Sequence, residues 1–137
     1  MKRIILITLL CKSLSAIAQT ESVHLQMDKS MVFPEDTIWF RGYVFEDSHI
    51  SSRSTNLYVE LYDDAGRLWS RSLFPIAKGA GFGQVPMPKT PGLYWLRSYT
   101  RNSGFFFASV TVRGKGPQLI ARSLTIPVRL QLQIPWG

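Results

Sequence analysis

The chain is poor in cysteine and, over its second half, in acidic side chains. Its single cysteine is Cys11, and all nine acidic residues lie at or before Asp64. One cysteine cannot form an intrachain disulfide, so stability must come from a buried apolar core, which a domain of about 100 to 150 residues can supply. The one long apolar run, at 4–10, is shorter than the roughly 20 residues needed to span a bilayer.

Catalytic and metal-binding patterns are also missing from the sequence. There is no Gly-x-Ser-x-Gly turn, so hydrolase chemistry has no support. His24 and His49 are the only histidines, and the acids beside His49, Glu46 and Asp47, do not complete a metal-ligand set. The sequence therefore predicts no enzyme activity, no metal and no cofactor.

The first eighteen residues have the pattern of a secretory signal peptide. Lys2 and Arg3 precede the apolar run, and the segment closes with the small residues Ala16 and Ala18. Cleavage there gives a mature chain that starts at Gln19 and an exported protein, whether periplasmic, associated with the outer membrane or extracellular. Two alternatives remain open: an uncleaved anchor, and lipidation at Cys11, although the residue before it is larger than a lipobox favours.

The positive charge of the second half is scattered. Ten lysine and arginine residues follow Asp64 with no acid among them, but they stand singly along predicted strands and turns. Nucleic-acid binding needs clustered charge or a recognisable motif, and neither is present. Of the anionic partners that a basic surface could bind, an anionic polymer of the cell envelope is favoured over nucleic acid.

Alternation of apolar and polar residues with period 2 recurs along the chain, and no segment keeps a 3.6-residue period. Turn-forming residues separate the segments at 63–66, 78–81, 88–92 and 102–104. The pattern predicts an all-β fold, an immunoglobulin-like seven-stranded antiparallel β-sandwich. The seven predicted strands are 22–27, 37–45, 56–62, 67–74, 83–87, 93–100 and 105–113.

The parity of the strands predicts which side chains face the core and which face outward. The expected core residues are Ile38, Phe40, Val59, Leu61, Tyr94 and Leu96. The strands at 56–62 and 93–100 are expected to be neighbours, and their opposite faces would then form one outer platform. Its predicted binding residues are Tyr58, Glu60, Tyr62, Trp95, Arg97 and Tyr99. Such a platform could dock another domain or stack the rings of a glycan.

Four segments together resemble the second macroglobulin-type domain of the alpha-2-macroglobulin family, in the version found at the front of bacterial envelope proteins. They read DK at 28–29, FPEDTIWFRG at 33–42, LYVELYDDAG at 57–66 and GLYWLRSYT at 92–100. The resemblance covers 21–113. Glu35 departs from it, because the family usually has glycine after the proline, which suggests a turn that needs no positive φ here.

The resemblance implies a non-catalytic interaction module, of a type associated with endopeptidase inhibition. Family members that trap proteases covalently use a cysteine–glutamine thioester and a bait segment in other domains, and neither is present here. The implied partners are other envelope domains or proteins, with glycans as the alternative, and with no nucleic acid and no transmembrane segment after cleavage.

The domain division predicted from these observations is a signal peptide at 1–18, a sandwich at 19–113, and a linker with a loosely anchored basic tail at 114–137. Residues 124–134 of that tail alternate as a strand does. Pro127 cannot donate to a ladder, so this segment is expected to be an edge strand or an unpaired extension that pairs with a sheet edge of a missing domain or partner. A non-native tail left by truncation is the alternative.

Overall fold

The computed structural model describes residues 20–114, 126–127 and 130. The predicted signal peptide and most of the predicted tail therefore lie outside the described residues. Within that part of the chain, no helix is long and apolar enough to cross a membrane.

Nine strands run through the described residues. In chain order they are β1 (Glu21–Met27), β2 (Met31–Val32), β3 (Thr37–Glu46), β4 (His49–Ile50), β5 (Asn56–Asp63), β6 (Leu68–Pro75), β7 (Ala80–Pro86), β8 (Gly92–Tyr99) and β9 (Phe106–Val112). The seven longer strands correspond to the seven predicted segments. The other two, β2 and β4, have two residues each, too few to show an alternation.

The strands form two sheets that pack as a sandwich. Sheet A contains β1, β3, β4 and β7, and β3 pairs with each of the other three. Sheet B has the order β2-β9-β8-β5-β6. All pairings are antiparallel except the short pairing of β2 with β9. The predicted all-β sandwich is confirmed.

The turn before β7 is shorter than the sequence indicated. β7 begins at Ala80, whereas the predicted strand began at 83. Lys78 and Gly79 alone make the turn, with φ angles of 53° and 73°, and Ala77 and Ala80 exchange two backbone hydrogen bonds across it. Positive φ at both central residues is the geometry whose twist matches a hairpin. A Cβ on Gly79 would also lie 2.2 Å from Cγ2 of Ile50, so glycine is required there.

The turn before β3 corrects the expectation for Glu35. This residue has a φ of 63°, so the prediction of a turn without positive φ is wrong. The Asp36 N–H donates to the Phe33 carbonyl at 3.1 Å, and Pro34 occupies the position before Glu35. This arrangement places the third turn residue in the left-handed region. Glutamate rather than glycine there costs about 1–2 kcal/mol.

The core lies between the two sheets and contains all six residues that parity predicted. Ile38 and Leu96 have no exposed surface, and Val59 and Leu61 are 2% and 1% exposed. Phe40 and Tyr94 belong to the same cluster. This confirms the strand parity, and the same parity places the predicted platform on the outer side of sheet B.

Candidate functional site

The six predicted binding residues share the outer side of β5 and β8, and we call this surface the ion-pair face. The two strands are neighbours in sheet B, as predicted. Three cross-strand pairs build the face: Tyr58 lies opposite Tyr99, Glu60 opposite Arg97, and Tyr62 opposite Trp95. Alternation brings these residues to one side of the sheet, and the register sets the acid directly across from the base.

Glu60 is the centre of a hydrogen-bond network. Its Oε2 accepts from Arg97 Nε at 2.7 Å and from Arg97 Nη2, so two nitrogens of the guanidinium donate to the same carboxylate oxygen. Its Oε1 accepts from Arg71 Nε at 2.8 Å, and Arg71 Nη2 lies 2.7 Å away. The hydroxyls of Tyr62 and Tyr99 each donate to the carboxylate at 2.8 Å. A buried carboxylate needs this degree of satisfaction to stay ionised.

The network changes the acidity of its members. Burial raises the pKa of Glu60, but the hydrogen bonds from Tyr62, Tyr99, Arg97 and Arg71 outweigh burial and leave that pKa below its usual value. Burial, with the hydrogen bond to Glu60, raises the pKa of Tyr62 to about 12. The same causes raise the pKa of Tyr99. At neutral pH the face therefore holds one carboxylate, neutral tyrosines and two guanidinium groups.

The ion-pair face is not the exposed platform that the sequence indicated. Glu60 has no exposed surface, and Tyr62, Trp95 and Arg97 are 2%, 4% and 2% exposed. Only Tyr58 is half-buried, stacked on Tyr99 with ring centroids 5.1 Å apart. A face covered to this extent cannot offer open rings to a glycan.

Residues from later in the chain contribute to this cover. Leu130 is fully buried in a cluster with Tyr62, Leu93 and Trp95, and Phe107 and Ile126 pack against that cluster. The Leu130 carbonyl accepts from Arg97 Nη1 at 3.2 Å. Leu130 N–H donates to the Pro127 carbonyl at 2.9 Å. Leu130 is helical, so the backbone there is not the extended strand that the alternation predicts.

Aromatic rings complete the surroundings of Arg97. Its guanidinium carbon lies 4.3 Å from the Phe105 ring centroid, 4.9 Å from that of Tyr62 and 5.7 Å from that of Tyr99. Such contacts favour a desolvated guanidinium. Among the described residues, the buried Nε1 of Trp95 has no hydrogen-bond partner.

A second buried carboxylate, Glu21 at the start of β1, was not predicted. It is 2% exposed. Its oxygens accept from Ser51 Oγ at 2.6 Å, from Thr100 Oγ1 at 2.8 Å and from Ser54 Oγ. Arg53 Nε lies 3.8 Å away. The signal that could have found this site is parity, because Glu21 is two residues before the inward-facing Val23.

We expect Glu21→Gln to lower the free energy of unfolding by about 1–3 kcal/mol at neutral pH, because it weakens hydrogen bonds made to a charged group. Burial raises the pKa of Glu21, but the hydrogen bonds from Ser51, Ser54 and Thr100 leave it below the unfolded value of 4.5. The contribution of the carboxylate is therefore present above pH 4.5 and is lost as the pH falls through the folded-state pKa.

Denaturant unfolding of the wild type and of Glu21→Gln, at about pH 7 and at about pH 3, measures this effect. The difference between wild type and Glu21→Gln should shrink at the lower pH. Glu46→Gln, which changes a more exposed partner of Arg53, is the control. An equal difference at both pH values would contradict the assignment.

The turn aspartate and the two histidines of the sequence lie in turns and strands. Asp63 Oδ1 accepts from the backbone N–H of Ala65 at 3.0 Å and of Arg67 at 2.8 Å, as expected for a turn aspartate. The His24 ring lies edge-on to Phe106, with centroids 5.3 Å apart. His49 lies on β4. No group of three or more histidine, cysteine or acidic side chains within the described residues is arranged to hold a metal ion.

Comparison with known proteins places this fold. No family model matches the sequence, and no curated protein matches it. Among solved structures, the native Escherichia coli alpha-2-macroglobulin aligns with a TM-score of 0.62 at 11% identity over 75% of this chain. A Salmonella alpha-2-macroglobulin mutant aligns with a TM-score of 0.62 at 13% identity over 72%. The sandwich has an alpha-2-macroglobulin-type domain fold.

The trypsin-activated form of the Escherichia coli alpha-2-macroglobulin aligns in the same way, with a TM-score of 0.60 at 10% identity over 69% of this chain. This confirms the fold that the resemblance at 33–42, 57–66 and 92–100 predicts. The chain spans only 6% to 7% of the length of these alpha-2-macroglobulins. At such low identity, the likeness to these macroglobulins concerns the fold.

Proposed function

We propose that the chain is a non-catalytic interaction module of an exported bacterial envelope protein, and that its ion-pair face holds a polypeptide segment against sheet B. The supporting observation is that Leu130 packs against this face. Its side chain has no exposed surface, and its carbonyl accepts from Arg97 Nη1 at 3.2 Å. The face thus binds both a side chain and a backbone group of a segment that lies 33 residues beyond Arg97.

The composition of the face supports this role. Tryptophan, tyrosine and arginine are the residue types that dominate binding energy where proteins dock, above all where they are fully desolvated. Trp95 and Tyr62 surround an aliphatic side chain, and Arg97 is held in place by Glu60 while one of its nitrogens reaches a carbonyl. A rigid, pre-organised donor beside an apolar seat suits recognition of a polypeptide.

The fold comparison supports the setting. In the Escherichia coli and Salmonella alpha-2-macroglobulins the part that aligns with this chain is 6% to 7% of a much longer chain. We propose other envelope domains or proteins as partners. The signal-peptide pattern at 1–18 supports export. Peptidase inhibition is not part of the proposal.

The test uses protein recovered after export from a bacterial host, with the N-terminus sequenced to establish whether it begins at Gln19. Trypsin can cut after Arg129 only when the bond to Leu130 is accessible. Releasing a buried leucine costs about 1.5–3 kcal/mol, and cleavage follows the population of the open form. We therefore expect Leu130→Asn, which removes the apolar side chain without placing an acid next to the scissile bond, to speed cleavage after Arg129 by about tenfold to a hundredfold.

The matched control is Leu73→Asn, which places the same change at an exposed leucine of sheet B, 55% accessible on β6. It should leave cleavage after Arg129 unchanged. If Leu130→Asn also leaves that rate unchanged, the ion-pair face does not hold the segment and the proposed function fails.

A further inference from the structure

The outer side of sheet A carries a set of aromatic side chains that the sandwich leaves exposed. Trp39 on β3 is 56% exposed, and Phe82 on β7 is 74% exposed. Tyr43 and Phe45 continue the row along β3, half-buried, with ring centroids 6.4 Å apart and planes at 31°. We call this surface the aromatic face. Contiguous apolar patches of a few hundred Å² on a protein surface are often functional.

Polar side chains alternate with these rings in a fixed register. Gln84 lies opposite Trp39 on the neighbouring strand, and Arg41 lies opposite Phe82. On the other side of β3, Gln26 lies opposite Arg41. Each of these polar residues is exposed. Amide side chains both donate and accept hydrogen bonds, which suits a ligand rich in hydroxyl groups.

The backbone under Trp39 is held rigidly. Asp28 Oδ1 accepts from the Trp39 N–H at 3.0 Å, and the Asp28 N–H donates to the Trp39 carbonyl at 2.9 Å. The strand under Phe82 is packed as tightly, because the inward side of Gly83 lies against the Phe74 ring and leaves no room for a Cβ. Both rings therefore stand on fixed supports, so little backbone ordering opposes binding.

The charge of the face selects the ligand. Arg41 lies at its centre on the middle strand, and within the described residues no carboxylate is at ion-pair distance from it. Asp28, an acid beside the face, is engaged by the Trp39 N–H. A guanidinium with no acidic partner among the described residues favours a ligand that carries carboxylates, which it can bind in bidentate fashion.

The size of the face argues against a protein partner. Three strands about 4.8 Å apart, over the six steps of about 3.4 Å from Trp39 to Phe45, make a plane of roughly 300 Å². A standard protein interface covers about 800 Å² on each side. A second copy of the chain is also disfavoured, because a two-fold contact would bring two Arg41 side chains together with no acid on the face to separate them.

We propose that the aromatic face binds an acidic polysaccharide, a polymer of sugar rings that carry carboxylates. Trp39 and Phe82 stack on the apolar faces of successive rings, Gln84 and Gln26 exchange hydrogen bonds with ring hydroxyls, and Arg41 pairs with a carboxylate. This site lies on the opposite sheet from the ion-pair face and does not depend on the function proposed for that face.

Calorimetric titration of the purified chain with oligogalacturonate tests the proposal, and the same oligomer with its carboxyls methyl-esterified is the matched ligand. We expect the acidic form to bind more tightly than the ester. Trp39→Ala and Phe82→Ala should each weaken binding by about tenfold or more, as the loss of one dominant aromatic contact does. Arg41→Gln should reduce binding of the acidic form to the level of the ester.

Trp69→Ala is the control, because Trp69 is exposed to a similar extent, 51%, but lies on sheet B. Since Trp39 and Phe82 are exposed, their variants should melt as the wild type does, and this is measured for each. The proposal is overturned if neither form of the oligomer binds, if Trp69→Ala weakens binding as much as Trp39→Ala, or if the ester binds as tightly as the acid. It is also overturned if sedimentation shows a dimer that Trp39→Ala dissociates.

Discussion

Replacing Arg97 with methionine is expected to lower the free energy of unfolding by about 3–5 kcal/mol, because it removes one partner of a buried ion pair. Glu60 has no exposed surface and would keep only Arg71 and two tyrosine hydroxyls around its charge. The Leu130 carbonyl would lose its donor as well. Guanidinium-induced unfolding, followed by circular dichroism, measures the change.

A double-variant cycle separates the ion pair from simple packing. Glu60→Leu combined with Arg97→Met removes both charges of the pair and should restore part of the stability lost in Arg97→Met alone, because the hydroxyls of Tyr62 and Tyr99 then lose their acceptor. Arg97→Lys keeps the charge but loses the two guanidinium hydrogen bonds to Glu60. Its loss of unfolding free energy should therefore fall between zero and that of Arg97→Met. A loss below about 1 kcal/mol for Arg97→Met would show that Glu60 does not need its partner.

Phe40→Ala is the second substitution with a large expected effect, a loss of about 3–5 kcal/mol on deletion of a buried aromatic ring. Phe40 is 4% exposed and lies between the sheets, where its ring meets Phe74 of β6 edge-on at 4.9 Å. Its partner across the ladder is Gly83. That glycine has no side chain that could move into the space left by the ring.

The matched control is Phe82→Ala on β7, one residue before Gly83. Phe82 is 74% exposed, so its removal should change stability by no more than about 0.5 kcal/mol in either direction. Both variants are compared by their denaturant midpoints at constant slope. If Phe40→Ala costs less than about 1 kcal/mol, the ring is not an essential part of the packing between the sheets.

The two outer sides of the sandwich differ in a way that bears on function. The outer side of sheet B is covered by residues that include Leu130 and carries a fully paired carboxylate, whereas the outer side of sheet A is open and carries a cation without an acidic partner among the described residues. A covered, satisfied face suits the holding of a polypeptide. An open face with rings and amides suits a ligand that arrives from solution.

Local pattern in the sequence was sufficient for the seven longer strands, their parity and the six predicted core residues. Alternation with period 2 is a consequence of the pleat, so it places Ile38 and Phe40 inward and Trp39 outward whatever the rest of the chain does. For the same reason it brought Glu60 and Arg97 to one face. Turn residues located most boundaries, but whether Glu35 adopts a positive φ depends on how the turn closes, and this was predicted wrongly.

Only the tertiary structure decided which outward face is covered. Leu130 lies 33 residues from Arg97, and no local period reports a contact across such a separation. Parity therefore predicts exposed rings for Tyr62 and Trp95, which are buried, and it gives the same outward direction to Trp39, which is exposed. Phe82 lies before the predicted strand at 83–87, so its outward direction follows only from the observed start of β7 at Ala80. The three hydroxyl partners of Glu21 likewise come from residues 30, 33 and 79 positions away. Parity follows from the geometry of one strand, whereas burial of an outer face depends on which distant segment packs over it.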